Sequence, residues 1–135
     1  MLVWILQTGE PLHIDKGSPR PMRAINLSNK LIERGHNVVI WSSAFSHQSK
    51  KHRVKEFTSY KVNSNLEIRL IPSFGYKRHI GLARLIDHLQ LSWNLRKILK
   101  KESNSPDIAF IGYPPIETAS VMSKWLKKRN ISVVL

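Results

Sequence analysis

Between an apolar run ending at Leu6 and an amphipathic run opening at Met22, the chain reads "LQTGEPLHIDKGSPRPMR". A strand-to-helix connection in an α/β protein usually takes about 2–6 residues, so this one has room for more than a turn. It carries carboxylates at Glu10 and Asp15, an imidazole at His13 and guanidiniums at Arg20 and Arg23. In open α/β sheets, ligands bind beyond the carboxyl ends of the strands. A loop there can offer backbone N–H groups and the positive end of the following helix to a phosphate. Gly17 lets backbone come close, Ser18 follows it, and Arg20 and Arg23 can add charge-assisted bonds. Gly17, Ser18 and Arg20 form a candidate phosphate-binding loop, and Glu10, His13 and Asp15 suit substrate hydroxyls. The glycine spacing is not G-x-G-x-x-G, so no dinucleotide fingerprint is claimed.

A second cluster lies in "SSAFSHQSKKHRVK", Ser42 to Lys55. Its cations include Lys50, Lys51 and Arg53, and its function could be contact with phosphate, lipid headgroups or nucleic acid. The plain alternative is a solvated loop. The aromatic interleaving of single-strand binders is poor, and no helix-turn-helix or zinc-finger spacing is visible. His47 and His52 have no third ligand nearby, so no metal site is expected.

The third cluster is "GLARLIDHLQLSWNLRKILKK", Gly81 to Lys101. Leu82, Leu85, Ile86, Leu89 and Trp93 share one helical face, and Leu91, Leu95, Ile98 and Leu99 widen it. The favoured reading packs that face on the sheet. The alternative lays the helix on an anionic membrane, with charge supplied by Arg84, Arg96, Lys97, Lys100 and Lys101.

Composition bounds these readings. The chain has 135 residues, enough for one domain with its own core. Hydrophobic residues make up 41%, which argues against disorder. Lys and Arg total 22 against 9 acids, a formal charge of +13, which attracts polyanions and anionic surfaces. There is no cysteine, hence no disulfide framework or thiolate metal site. No signal-peptide pattern opens the chain, and no apolar run nears the roughly 20 residues of a membrane span. The expected location is cytoplasmic, extending to a peripheral position on the inner face of the plasma membrane.

The elements that must position these groups follow from periodicity. Leu2 to Leu6 and Asn37 to Trp41 are continuous apolar runs, as in strands buried on both faces of a parallel sheet. Met22 to Arg34 has helical spacing at Ala24, Leu27, Leu31 and Ile32, and Gly35 stops it. Ser42 to Lys61 is expected to be an exposed excursion. A hairpin turning at Asn63-Ser64-Asn65 leads into a strand over Glu67 to Ile71. Gly81 to Lys101 is the longest helix. Asp107 to Ile111, Pro115 to Arg129 and Ile131 to Leu135 complete a strand, helix and strand. The fold class is α/β, Rossmann-like, with a mostly parallel sheet and helices on both faces. The sequence stops inside a buried-type strand, so it is expected to be the first part of a longer protein or to meet a partner there.

Three stretches resemble the N-terminal domain of family 4 glycosyltransferases, the retaining GT-B enzymes, and among them bacterial members that build cell-surface polysaccharide. The first is the opening loop feeding "RAINLSNKLIERGHNVVIWSS", like the family's glycine-bearing loop and its helix ending L-x-x-R-G-H-x-V-x-V. The second is "SSAFSHQSKKHR", like the family's Ser/Thr–Phe–x–His segment. The third is "PDIAFIGYPPIETASVMSKWLKKRNISVVL", like its strand, proline turn, helix and strand. The resemblance implies a hexosyltransferase that moves a sugar from a nucleotide-diphosphate donor to a saccharide or lipid-linked acceptor. It implies that residues 1–135 are the acceptor-side half of a GT-B architecture, inactive alone, whose donor-binding C-terminal domain is truncated from this chain or supplied in trans. It implies no cofactor and no metal. Gly17, Ser18 and Arg20 then become the donor-phosphate loop, and the acceptor-side candidates are Glu10, His13, Asp15, Ser43, His47 and Tyr113. Lys50, Lys51, Arg53, Arg96, Lys97, Lys100 and Lys101 are the headgroup candidates. Two departures stand out: Gly17 is followed by Ser18 where the family has paired glycines, and the turn Gly112-Tyr113-Pro114-Pro115 has no histidine. The catalytic residues are left unknown. The rival readings are a non-catalytic partner subunit of a split enzyme and a basic α/β nucleic-acid-binding module.

Overall fold

A computed structural model of the chain describes residues 1–17, 20–46, 48–76, 81–112 and 115–135. Its centre is β1 (Leu2–Leu6), which pairs in parallel with β2 (Asn37–Ser43) on one side and with β7 (Ile108–Ile111) on the other. Beyond β2 lies β6 (Leu66–Ile71), also parallel, and beyond β7 lies β8 (Ser132–Val134). The sixth strand, β5 (Thr58–Asn63), is an antiparallel edge formed by the expected hairpin with β6. The order is β5-β6-β2-β1-β7-β8, so the direction of strand addition reverses at β1. That reversal opens a crevice at the carboxyl ends of β1 and β7, the usual ligand position of such sheets.

Two apolar layers hold the sheet, as the doubly buried runs require. On one face Val3, Ile5, Val38, Ile40, Leu66, Ile68 and Leu70 meet α1 (Arg23–Glu33) through Ala24, with Leu27, Leu31 and Ile32 packed at the margin. On the other face Trp4, Leu6, Val39, Trp41 and Ile71 meet α2 (Leu82–Lys100) and α3 (Ile116–Lys127). Trp4 stacks on Trp125 at 5.3 Å, and the Trp125 indole N–H donates to the Leu99 carbonyl at 2.9 Å, tying the ends of α2 and α3 together. The Arg69 guanidinium lies 4.8 Å from the Trp41 ring centre and pairs with Glu102 at 2.7 Å.

The "RGH" of the sequence is a helix stop. Gly35 sits at φ 88°, its N–H reaches the Ile32 carbonyl at 2.9 Å, and the His36 N–H reaches Leu31 at 3.1 Å. That is the paired-bond arrangement that closes a helix through a left-handed glycine.

Three expectations change. The exposed excursion is shorter than expected. Ser42 and Ser43 extend β2, Ala44 to Ser46 are buried, and β3 (Phe45–Ser46) pairs with β4 (Lys51–His52). The reason is Phe45, whose ring packs at 5.0 Å from Tyr76 and 5.1 Å from His52. The face assignment of α2 is reversed in part: Leu91, Leu95 and Leu99 are buried, whereas Leu82, Leu85, Ile86, Leu89 and Trp93 are exposed. Finally, β8 is an edge strand, with Val134 and Leu135 exposed rather than buried.

Candidate functional site

The connection after β1 folds back on itself instead of reaching outward. Met22, which precedes α1, supplies no side-chain cap, and the first turn of α1 has no acid. Glu10 fills that role from twelve residues upstream, at the point where unpaired N–H groups and the helix dipole favour an anion. Its Oε2 accepts the Ala24 N–H at 2.8 Å, and its Oε1 accepts Arg23 Nε at 3.1 Å and Gln7 Nε2 at 3.4 Å. The positive end of α1, expected to receive a phosphate, therefore holds the protein's own carboxylate.

A second clasp fixes the middle of the loop. Arg53 donates to Asp15 through Nε at 2.6 Å and another nitrogen at 2.8 Å, and to the Ser43 carbonyl at 2.9 Å. Asp15 also accepts the Leu12 N–H at 2.9 Å, and Leu12 is buried in the core. Burial alone would raise the Asp15 pKa; the hydrogen bonds from Arg53 and Leu12 outweigh it and hold the carboxyl below its ordinary value. Arg53, expected to meet headgroups, is thus a nearly buried internal partner, with its side chain only 8% exposed.

Where the strand order reverses, a cleft of about 220 Å³ opens. Gln7, Thr8, Gly9 and Glu10 after β1 line one side, with Met22 and Arg23 at the start of α1. Ser43 and Phe45 come from the end of β2 and from β3. Tyr76, Arg84, Asp87, His88 and Leu91 bring in α2 and the segment before it, and Pro115 precedes α3. Asp87 is buried, and its Oδ1 accepts the Gly75 N–H at 2.6 Å. Gly75 is needed there. Its φ is 80°, and a Cβ would lie 2.6 Å from the Phe45 ring. Tyr76 and His88 meet edge to face at 6.4 Å. Burial lowers the His88 pKa and the Arg84 charge adds to this, outweighing the opposite pull of Asp87 and Glu117, so the imidazole is neutral at pH 7. Burial likewise raises Tyr76, with Asp87 adding and Arg84 opposing, which keeps the phenol protonated.

This lining pairs hydrogen-bond acceptors and donors with the apolar surfaces of Phe45, Leu91 and Met22, a mixture suited to a polyhydroxylated ring with one apolar face. A neutral imidazole can accept a proton from a hydroxyl, the requirement of a general base near pH 7.

Of the residues singled out in the sequence, Glu10, Arg23 and Ser43 line this cleft, with Arg23 paired to Glu10. The Ser43 hydroxyl accepts the Phe45 N–H at 3.0 Å. Asp15, Lys51 and Arg53 instead line a neighbouring groove with Lys16, His52 and Tyr60. His13 reaches Asn29 at 3.1 Å. Gly17 and Arg20 are exposed, and Gly17 takes φ 81°, a conformation that calls for glycine whatever its function. Lys50 lies over the Tyr76 ring at 5.0 Å. Arg96, Lys97, Lys100 and Lys101 are exposed. Ser18, His47 and Tyr113 lie outside the described residues. Tyr76, Asp87 and His88 were missed, and Arg84, counted among the charges of the membrane-facing alternative, lines the cleft instead. One signal was present: Asp87 precedes Leu91 and Leu95 by one and two helical turns, so an acid stands on the buried face. Among the described residues, no three His, Asp or Glu side chains are grouped to hold a metal ion.

The sheet order, two helical layers and cleft define an α/β protein with a Rossmann-like sheet. No family model and no curated protein matches the chain.

Proposed function

We propose that this chain is the acceptor-side domain of a GT-B glycosyltransferase. It would position a saccharide or lipid-linked saccharide to receive a sugar from a nucleotide-diphosphate donor. The observation that carries the reading is the chemistry of the cleft at the carboxyl ends of the parallel strands. It has acids, a neutral imidazole and apolar surface for a sugar, while Glu10 already neutralises the nearest phosphate-binding position. That division fits an acceptor better than a nucleotide. The resemblance of the opening loop, the "RGH" helix end and the last βαβ segment to family 4 enzymes supports the same half of the architecture.

In this reading Asp87 and His88 contact acceptor hydroxyls, and Arg20, exposed in the opening loop, meets the donor diphosphate. A donor-binding domain outside this sequence supplies the rest. The protein's contribution is then orientation of the attacking hydroxyl and stabilisation of charge on the leaving diphosphate. Incubated alone with a panel of nucleotide sugars and lipid extract, the chain should transfer no sugar. Turnover by these 135 residues alone would overturn the two-domain reading.

A further inference from the structure

Helix α2 is apolar on two opposite faces. Leu91, Leu95 and Leu99 close the core, while Leu82, Leu85, Ile86, Leu89 and Trp93, on the opposite side, are between 44% and 70% exposed. Their spacing is that of one continuous stripe along a helix. Among the described residues no element covers it. A contiguous apolar surface of this kind marks a contact with something else.

The stripe continues into charge. Arg96 lies seven residues after Leu89, and Lys97 and Lys100 lie four and seven after Trp93, all on the same face and all exposed. The Lys97 ammonium sits 5.6 Å from the Trp93 ring centre, at the changeover from apolar to basic. The hydrogen bond from Trp125 to Leu99 brings the end of α3 alongside, with exposed Lys124, Lys127 and Lys128. Among the described residues the one carboxylate of α2, Asp87, is buried on the opposite side. A second copy docked through this same face would therefore bring cations against cations.

We infer that the outward face of α2 is a contact surface for an anionic lipid bilayer. Leu82, Leu85, Ile86, Leu89 and Trp93 enter the acyl boundary, and Arg96, Lys97 and Lys100 meet headgroup phosphates. The helix lies along the surface: the stripe from Leu82 to Trp93 is only about 17 Å long, and no helix among the described residues is long and apolar enough to cross a membrane. Tryptophan and lysine, each with an apolar body and a polar tip, suit the boundary between the two zones. This surface stands apart from the glycosyltransferase reading. If that reading also holds, the turns of α2 that insert are those that carry Asp87 and His88 to the cleft, bringing a lipid-borne acceptor to it.

The test uses the whole chain with vesicles of phosphatidylcholine, with and without phosphatidylglycerol. The chain should sediment with the anionic vesicles and be released as salt rises. Brominated acyl chains should quench its fluorescence, and Trp93→Phe should remove that quenching, because Trp4 and Trp41 are buried and Trp125 packs against the core. Leu89→Glu with Trp93→Glu should cut partitioning by about tenfold or more while the melting temperature holds. A triple Arg96→Gln, Lys97→Gln, Lys100→Gln variant, which leaves the apolar stripe intact, should lose the salt-sensitive part of binding. Equal binding to both vesicle types, quenching unchanged by Trp93→Phe, or wild-type binding by the triple variant would overturn the inference. So would a dimer that Leu89→Glu disrupts in a chain that ignores vesicles.

Discussion

The two walls of the cleft carry similar residue types and use them differently. On the β1–α1 wall, the Glu10 carboxylate takes hydrogen bonds from Ala24, Arg23 and Gln7, and the loop behind it is pinned by Arg53 on Asp15. Its charges are answered inside the protein. On the α2 wall, Asp87 is buried beside a half-buried, neutral His88 and a protonated Tyr76, all turned to the cleft. The loop that draws attention in the sequence is thus mainly architecture, and Asp87 and His88, which face the cleft, stand on a helix whose sequence reads as core. The length of the loop follows from its work: it must turn back to cap α1 with Glu10, bury Leu12 and present Asp15 to Arg53.

If the first wall is structural, damage to it should appear as lost stability. Arg53→Ala should have the largest effect, about 3 kcal/mol, because a mostly buried ion pair loses one member. Chemical denaturation measures it. The same pair sets an acid limit. The Asp15 pKa is lower in the folded chain than its ordinary 3.8, so the unfolded chain binds the proton more readily in acid. The stabilisation is present above about pH 4 and fades as pH falls through the folded value. An acid titration of the melting temperature should show this fall in wild type and a shallower one in Arg53→Ala.

Glu10→Ala should cost less, about 2 kcal/mol, as a helix loses its cap. Amide exchange should rise first at Ala24 and Ile25. A normal melt with lost saccharide binding would instead move Glu10 to the chemical side of the comparison. Gly17→Ala should cost about 1 kcal/mol through its left-handed backbone alone, since a Cβ there meets nothing within 4 Å. A loss of nucleotide binding at unchanged stability would restore Gly17 as a phosphate-loop residue. The smallest effect is on pH. The folded His88 pKa lies below its ordinary 6.5, so protonation favours the unfolded chain, and stability is complete above that value and declines as pH drops beneath it. The His88 ring resonance should titrate below 6.5; a midpoint at or above it would contradict the burial argument.

Much of the frame was legible because its signals are local. The apolar runs at Leu2–Leu6 and Asn37–Trp41, the hairpin at Asn63-Ser64-Asn65 and the Gly35 stop each follow from a few neighbouring residues. Helix α1 was legible for the same reason: its apolar residues lie on one side only. Helix α2 was not, because periodicity groups residues by face but cannot choose between two apolar faces when both are present. The sheet made that choice, through Leu91, Leu95 and Leu99. The candidate site was legible only at Glu10, Arg23 and Ser43. Whether a cation is free or paired depends on contacts distant in sequence, as between Asp15 and Arg53, and the meeting of Asp87, His88 and Tyr76 with the end of β1 depends on the whole topology.

The central claim is that the α2 wall binds a saccharide. Backbone amide and imidazole resonances of the chain should be followed during titration with a panel of neutral and uronic-acid disaccharides, and separately with a nucleoside diphosphate. The account predicts that a disaccharide shifts Gln7, Asp87 and His88, that His88→Ala abolishes those shifts without lowering the melting temperature, and that the nucleoside diphosphate leaves these residues unmoved. Disaccharides that shift none of the three, or a nucleoside diphosphate that binds at Gln7, Asp87 and His88, would contradict it.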